Sequence, residues 1–369
     1  MKTILPILFL LLSTTIFAQL NTKTILVDQV VRDYIEYIPQ NYQNAESAPL
    51  IIVLHGIGGF ISDYVNPALN GLADDDRFVS VYLQGKANAF GQTSWNNGTL
   101  LASNANDLGF IQTMIETMAT EYNIDRTKVY VVGISMGAIM TYKVLHHLSD
   151  KVAAAVCHIG TMSNEEIANY NPALPRPLLQ IHGVNDDVVP YAGTPLPSLS
   201  LVNPTLDKLK SINGWNGDST ITNIPDNMND DITIEKIVYD CTTKLEHWKM
   251  SGSGAEHIFL FAAINDTSGM EVTWNFLKEN THPNPTLAIQ NFKTENSKLT
   301  VYPNPTTGIF KLENSMLFKS VKIYNINQQL VFESQQLNQL DISHLSSGLY
   351  ILQVEDQNNQ FSNQLLNKN

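Results

Sequence analysis

The 369-residue chain has only two cysteines, Cys157 and Cys241. That is too few for a disulfide framework or a cysteine-based zinc site. The pair could form one bridge in an oxidising compartment, and free buried thiols are the ordinary alternative. Positive charge is also scarce, with 22 Lys and Arg against 35 Asp and Glu and a formal net charge of −13. The basic residues are scattered, which excludes a nucleic-acid partner and argues against an anionic polymer as substrate. The histidines and acids show no ligand spacing such as His-x-x-x-His, and no Walker-type Lys-Ser/Thr or Gly-x-Gly-x-x-Gly is present. No metal and no cofactor is therefore expected.

Long apolar runs are missing except at the N-terminus. There Lys2 supplies a positive charge, Ile4 to Leu12 an apolar run, and residues 14–18 a small-residue exit before Gln19. The run is shorter than the roughly 20 residues a membrane span needs, and the segment reads as a cleaved signal peptide over residues 1–18. The mature chain is expected to be exported, with no transmembrane segment.

From Thr22 to Thr281 short β-branched runs alternate with longer amphipathic stretches, the pattern of parallel strands joined by crossover helices. Strands apolar nearly throughout are expected at Leu50–Leu54, Val79–Leu83, Val129–Val132 and Leu178–Ile181, as for strands covered on both faces. Thr24 to Ile38 alternates and predicts an antiparallel hairpin at the sheet edge. Helices are expected over 106–122, 136–148 and 269–279. The segment Thr281-His282-Pro283-Asn284-Pro285 stops the last helix, and residues 282–298 read as a linker. Beyond it, short alternating strands near 299–302, 309–312, 321–324 and 349–354 predict a small β-sandwich over residues 299–369. His344 is its only histidine and no Ser-His-acid grouping surrounds it, so that domain is not expected to carry chemistry.

The chemistry-bearing segment is Gly133-Ile134-Ser135-Met136-Gly137, with a strand before it and a helix after it. A nucleophile on such a strained turn needs glycine two residues before and after, because a side chain there would strike neighbouring backbone. Serine is a weak nucleophile and requires a histidine base oriented by a carboxylate, here expected in the order Ser, acid, His. Asp186 and Asp187 follow the strand ending at Ile181, and the residues alone do not separate them. His257 lies in a loop after the strand Leu245–Met250 and before the last helix, and is the expected base. His247 is its rival, read as a half-exposed structural histidine within that strand. His55 and His182 end strands and are expected to hold loops; His146 and His147 are expected on a helix surface. Donors for a developing oxyanion are expected from the N–H of Met136 and, in the glycine loop His55-Gly56-Ile57-Gly58-Gly59, from that of Ile57. Trp95 is a loop Trp flanked by polar residues, which stacks on rings as readily as it anchors a loop. Asp107, opening a helix, reads as an N-terminal cap.

Two resemblances rest on these residues. Residues 54–56, 107–111, 122–125, 129–138, 182–191 and 274–277 together resemble the polyhydroxybutyrate depolymerase and feruloyl or acetylxylan esterase group of α/β-hydrolases. The resemblance implies an α/β-hydrolase sandwich with a mostly parallel sheet and ester hydrolysis through an acyl-enzyme. It also favours Asp186 as the acid, maps the late-loop base onto His257, and makes Ser94–Gly98 a substrate-contacting segment with Trp95 and Asn96 as candidate contacts. Met136-Gly137 and Ile258-Phe259 depart from the group's usual residues after the nucleophile and after the histidine, which leaves the pocket least defined. Residues 301–308, 321–325 and 345–350 resemble the C-terminal sorting domain of type IX secretion cargo. That implies export through the periplasm and across the outer membrane by the type IX machinery, to the medium or the cell surface. The alternatives to an exported esterase are a surface carbohydrate-binding protein on an inactive hydrolase scaffold and a serine peptidase of the same fold. A complete Ser, Asp, His set weighs against the inactive scaffold.

Overall fold

The computed structural model describes residues 19–88, 90–194, 196, 198–226, 230–257, 263–264, 267–285, 300–325, 329–356 and 361–369. The expected signal peptide and most of the expected linker lie outside them. The chain forms two compact units, Met1–Thr286 and Leu287–Asn369.

The first unit is built on a ten-stranded sheet. Its strands are β1 (Gln19–Val27), β2 (Val30–Ile38), β3 (Ala48–Leu54), β4 (Val79–Leu83), β7 (Ile124–Ile134), β8 (Ala154–His158), β9 (Leu178–Gly183), β10 (Trp215–Ile224), β11 (Thr233–Cys241) and β12 (Leu245–Ser251), while β5 (Lys86–Ala87) and β6 (Thr93–Ser94) form a small separate ladder. The order is β1-β2-β4-β3-β7-β8-β9-β12-β11-β10. The six central strands, β4 to β12, run parallel, and an antiparallel hairpin closes each edge. The helices are α1 (Ile61–Tyr64), α2 (Pro67–Asp76), α3 (Asp107–Glu121), α4 (Met136–His147), α5 (Asn164–Asn169), α6 (Val202–Asn213) and α7 (Gly269–Lys278). The four expected central strands and the first hairpin are all present. The second hairpin, β10–β11, was not expected: every side chain of β10 but the last is exposed, so the apolar runs that mark buried strands are missing there.

Alternation along the central strands divides the core in two. Leu50, Ile52, Leu54, Val129 and Val131 face one layer with α3 and α4. Ile51, Val53, Tyr130 and Val132 face the other with α2 and α7. Cys157 is wholly buried, Cys241 is partly exposed, and both are free thiols. They sit on β8 and β11, three ladder steps apart and so ~14 Å across the sheet, beyond the reach of a disulfide.

Asp107 is not the cap of α3. Asn106 is, accepting from the Gly109 N–H at 2.9 Å. Asp107 is instead buried and paired with Arg32 at 2.6 Å, their side chains 0% and 1% exposed. Burial raises the Asp107 carboxyl above its ordinary value, against the pull of Arg32 and of the Asn96 N–H. Asp107 also accepts from the Asn96 N–H at 2.6 Å and the Ser103 hydroxyl at 3.3 Å, which ties strand β2 to the loop after β6. Removing one member of a buried ion pair leaves an uncompensated charge and costs about 3–5 kcal/mol. Asp107→Ala is expected to lose about that much in a urea unfolding titration; a loss below ~1 kcal/mol would count against this role.

The second unit has a three-stranded sheet (Val301–Tyr302, Ile309–Leu312, Leu340–Asp341) and a four-stranded one (Leu330–Ser334, Phe318–Asn325, Gly348–Asp356, Phe361–Lys368). Phe310, Val321, Ile323, Leu340, Leu352 and Val354 lie at the centre of its core. The inward positions alternate with exposed ones along Ile309–Leu312, which is the period of two that the sequence shows.

Candidate active site

The parallel strands bring their C-terminal ends to one edge of the sheet, where open α/β sheets place their ligand sites. Ser135 follows β7, Asp186 follows β9, His257 follows β12 and the glycine loop follows β3. At Ser135 the backbone has φ 53° and ψ −116°, a left-handed conformation that an L-residue adopts only under constraint. The constraint is the packing of β7 and α4. A Cβ at Gly137 would stand 2.1 Å from the Leu54 carbonyl oxygen, and one at Gly133 would stand 2.3 Å from the Gly137 oxygen. Only glycine lets helix and strands approach that closely. The Ser135 N–H donates to the His158 carbonyl at 2.8 Å, which fixes the turn to the neighbouring strand β8.

Three of the expected residues meet. His257 Nδ1 lies 2.7 Å from Asp186 Oδ2, and His257 Nε2 lies 3.1 Å from Ser135 Oγ. A carboxylate only accepts, so Nδ1 carries the proton and Nε2 is left to accept from the serine hydroxyl. The His257 side chain is 20% exposed and that of Asp186 is fully enclosed. Asp187 is exposed, and it is Asp186 that the fold turns towards His257.

Asp186 has more donors than the sequence suggested. Its Oδ1 accepts from the Val188 and Val189 N–H groups at 2.9 and 2.7 Å. Its Oδ2 accepts from His257 and also faces His182 Nε2 at 3.2 Å. Since His182 Nε2 also lies 2.8 Å from the Val189 carbonyl, that nitrogen must be the protonated one. Burial alone would raise the Asp186 carboxyl, but the hydrogen bonds from His182, His257 and the Val189 N–H outweigh it and hold the group well below the usual carboxylate range. The signal for His182 was present in the sequence: it ends β9 four residues before Asp186, the distance that one tight turn closes.

The two residues expected as oxyanion donors lie directly after Ser135 and in the glycine loop near it. Met136 opens α4, where first-turn N–H groups have no intrahelical acceptor, and Ile57 follows Gly56, whose Cβ position would be 3.4 Å from Ser135 Cβ. Among the described residues neither N–H is bonded to a protein acceptor.

Trp95 and Asn96 are placed differently from expectation. Trp95 is 0% exposed. Its indole N–H donates to the His55 carbonyl at 2.8 Å and its ring packs on the His55 ring at 4.9 Å, so it anchors the glycine loop and does not stack on substrate. Asn96 directs its side-chain amide to the Ala105 carbonyl at 3.0 Å, and its own carbonyl accepts from Lys143. Asn97 is the residue of that segment that reaches the Ser135 turn, with Nδ2 3.2 Å from the Met136 carbonyl.

The remaining histidines divide as the loops require. His55 Nε2 accepts from the Gly85 N–H at 2.8 Å and, with His182, holds loops as expected. His247 is fully buried, not half-exposed, and bonded to the Tyr191 hydroxyl at 2.9 Å. His146 is not a free surface residue; it pairs with Glu166.

Fold and site together define an α/β-hydrolase with a serine, histidine and aspartate in contact at the strand ends. Residues 41–198 match the family described as Phospholipase/Carboxylesterase, and residues 300–368 match the Secretion system C-terminal sorting domain. The chain is 30% identical over 288 residues to the bifunctional acetylxylan esterase/xylanase XynS20E of Neocallimastix patriciarum, covering 75% of this chain and 37% of that protein. It is 28% identical over 165 residues to feruloyl esterase B of Piromyces equi, covering 44% of this chain and 30% of that protein. The chain thus spans about a third of the length of these curated relatives. The solved acetyl xylan esterase from Aspergillus awamori is 14% identical with a TM-score of 0.49, over 69% of this chain and 98% of that one. The chain carries a phospholipase/carboxylesterase-type region related to feruloyl and acetylxylan esterases, and a C-terminal sorting domain that marks it for type IX secretion. Among the described residues no helix is long and apolar enough to cross a membrane.

Buried neutral histidines surround this site, and they couple its stability to pH. Burial lowers His55 and His158 from 6.5 to about 4, and His247 to about 3. For His55 the Gly56 carbonyl partly opposes the fall and Arg32 adds to it; for His247 the Gln180 carbonyl opposes it. Each ring is neutral when folded but takes up a proton at ordinary values when unfolded, so the unfolded chain gains protons first as pH falls. Stability is therefore fully present above pH 6.5 and lost towards pH 4, at up to about 1.4 kcal/mol per pH unit per ring. Urea titrations between pH 7.5 and pH 5, above the range of most carboxylates, should show this decline; constant stability across the interval would contradict it.

Proposed function

We propose that the protein is an exported serine esterase that cleaves carboxylic esters on plant polysaccharide side chains, with Ser135 as nucleophile, His257 as base and Asp186 as orienting acid. The observation that carries the reading is the continuous hydrogen-bond path from Asp186 through His257 to Ser135. In the proposed reaction Ser135 Oγ attacks the ester carbonyl carbon while His257 Nε2 takes its proton. The resulting oxyanion is held by the N–H groups of Ile57 and Met136. Collapse expels the alcohol, which His257 protonates, and leaves an acyl group on Ser135. His257 then deprotonates a water, whose attack releases the acid and regenerates the serine. Asp186, held in its ionised form, keeps the imidazole in the working tautomer and stabilises the imidazolium.

The choice of ester is supported by the relatives, whose names state acetylxylan and feruloyl esterase activity. In this reading residues 19–281 form the esterase domain, 282–298 the linker, and 299–369 the domain through which the type IX machinery exports the chain. A scaffold kept only for binding would have no need of a strained serine beside a correctly polarised histidine, because the strain of ~1–3 kcal/mol would bring nothing in return.

Ser135→Ala is expected to lower kcat on p-nitrophenyl acetate by about 10⁴-fold or more with an unchanged circular dichroism spectrum. Turnover retained in that variant would overturn the reading. With the wild-type chain, acetylated xylo-oligosaccharides and feruloylated arabinoxylan fragments should be cleaved, and faster than polyhydroxybutyrate granules. The reverse order would keep the nucleophile and discard the substrate.

A further inference from the structure

Helix α4, which begins beside Ser135, ends on His146 and His147. Adjacent residues of an α-helix do not face one another, yet these two imidazole rings lie 4.2 Å apart with 33° between their planes. His146 Nδ1 stands 2.5 Å from Glu166 Oε1. Glu166 comes from α5, where Ser163 accepts from its backbone N–H at 3.1 Å and fixes that turn. One possible ligand atom from each of the three residues falls within 4.8 Å of the others.

Glu166 is 6% exposed, whereas His147 faces solvent. A carboxylate so enclosed needs compensating positive charge. Among the described residues its ion-pair partner is His146, and no Lys or Arg reaches it. A divalent cation would supply the charge and engage both rings.

We propose that His146, His147 and Glu166 form a binding site for one borderline divalent cation, Zn²⁺ foremost, linking the end of α4 to α5. Two imidazole nitrogens and a carboxylate oxygen suit Zn²⁺, Ni²⁺ or Cu²⁺ and not Mg²⁺ or Ca²⁺, which take oxygen ligands. Ligand bonds of ~2.0–2.2 Å at a tetrahedral centre require the His146–Glu166 contact to open to about 3.3 Å, a small rotation of the imidazole, while exposed His147 swings to complete the set. The fourth position is left to water. A cation here also faces the negative end of the α4 dipole. Eleven residues at a rise of 1.5 Å put the site ~16 Å from Ser135, too far to touch a bound ester, so its effect is to hold two helices together.

Tag-free, chelator-treated full-length protein titrated with ZnCl₂ in a calorimeter is expected to bind one equivalent at this site, with its melting temperature raised by zinc and not by MgCl₂ or CaCl₂. His147→Ala alters a solvent-facing side chain and should keep the fold, yet weaken that binding at least tenfold and abolish the zinc-dependent shift. Glu166→Gln should do the same. Binding should persist in Ser135→Ala and in His257→Ala, because the candidate active site also contains histidine and carboxylate. No zinc binding, binding undiminished in His147→Ala, or binding lost in His257→Ala would overturn the proposal.

Discussion

Everything at the candidate active site depends on how closely α4 approaches the sheet behind it. The Gly137 backbone lies against the Leu54 carbonyl with no room for a methyl group, and Gly133 lies equally close to the Gly137 carbonyl. That contact forces β7 to turn into α4 within one residue, and Ser135 takes up the strain with φ 53°. The strain is about 1–3 kcal/mol, small beside the two core layers that flank the sheet and supply the opposing force. The same turn leaves the Met136 N–H at the start of a helix, without an intrahelical acceptor and next to the serine. One packing constraint thus turns the hydroxyl towards His257 and leaves a free N–H beside it.

The rest of the site is arranged around that fixed point. Asp186 is enclosed and surrounded by four donors, which keep it charged in a place where burial alone would neutralise it. Trp95, His55 and the Arg32–Asp107 pair lie further out and hold the loops after β3 and β6. Their polar groups are taken up by backbone N–H and carbonyl groups and by one another, so the segment 94–97 positions the glycine loop and the Ser135 turn more than it offers groups to a ligand. The geometry of Ser135, His257 and Asp186 at the strand ends therefore rests on a second set of buried polar contacts.

Much of this was legible in the sequence, for physical reasons that also mark its limits. The central strands were readable because burial on both faces demands apolar runs, and the sharp turn at Ser135 because only glycine fits at 133 and 137. The order Ser135, Asp186, His257 was readable because each must follow a strand end. What was missed depended on contacts between distant residues. Asp107 looked like a helix cap because its partner, Arg32, is 75 residues away. Trp95 looked available to a ligand because nothing in its neighbourhood shows that His55 covers it. The edge strand β10 has no buried face to leave a periodic trace. The cluster of His146, His147 and Glu166 has no ligand spacing because its third member arrives on another helix. The choice between Asp186 and Asp187 needed the path of the loop, which turns one inward and leaves the other in solvent.

The central claim is that Ser135 is the activated nucleophile, and covalent capture tests it most directly. Wild-type protein treated with diethyl p-nitrophenyl phosphate and digested should carry one diethylphosphoryl group on the peptide containing Ser135, and should release one equivalent of nitrophenol as activity disappears. The label should fail to form in His257→Ala. Labelling at a different residue, or no labelling of a folded and active preparation, would contradict the account.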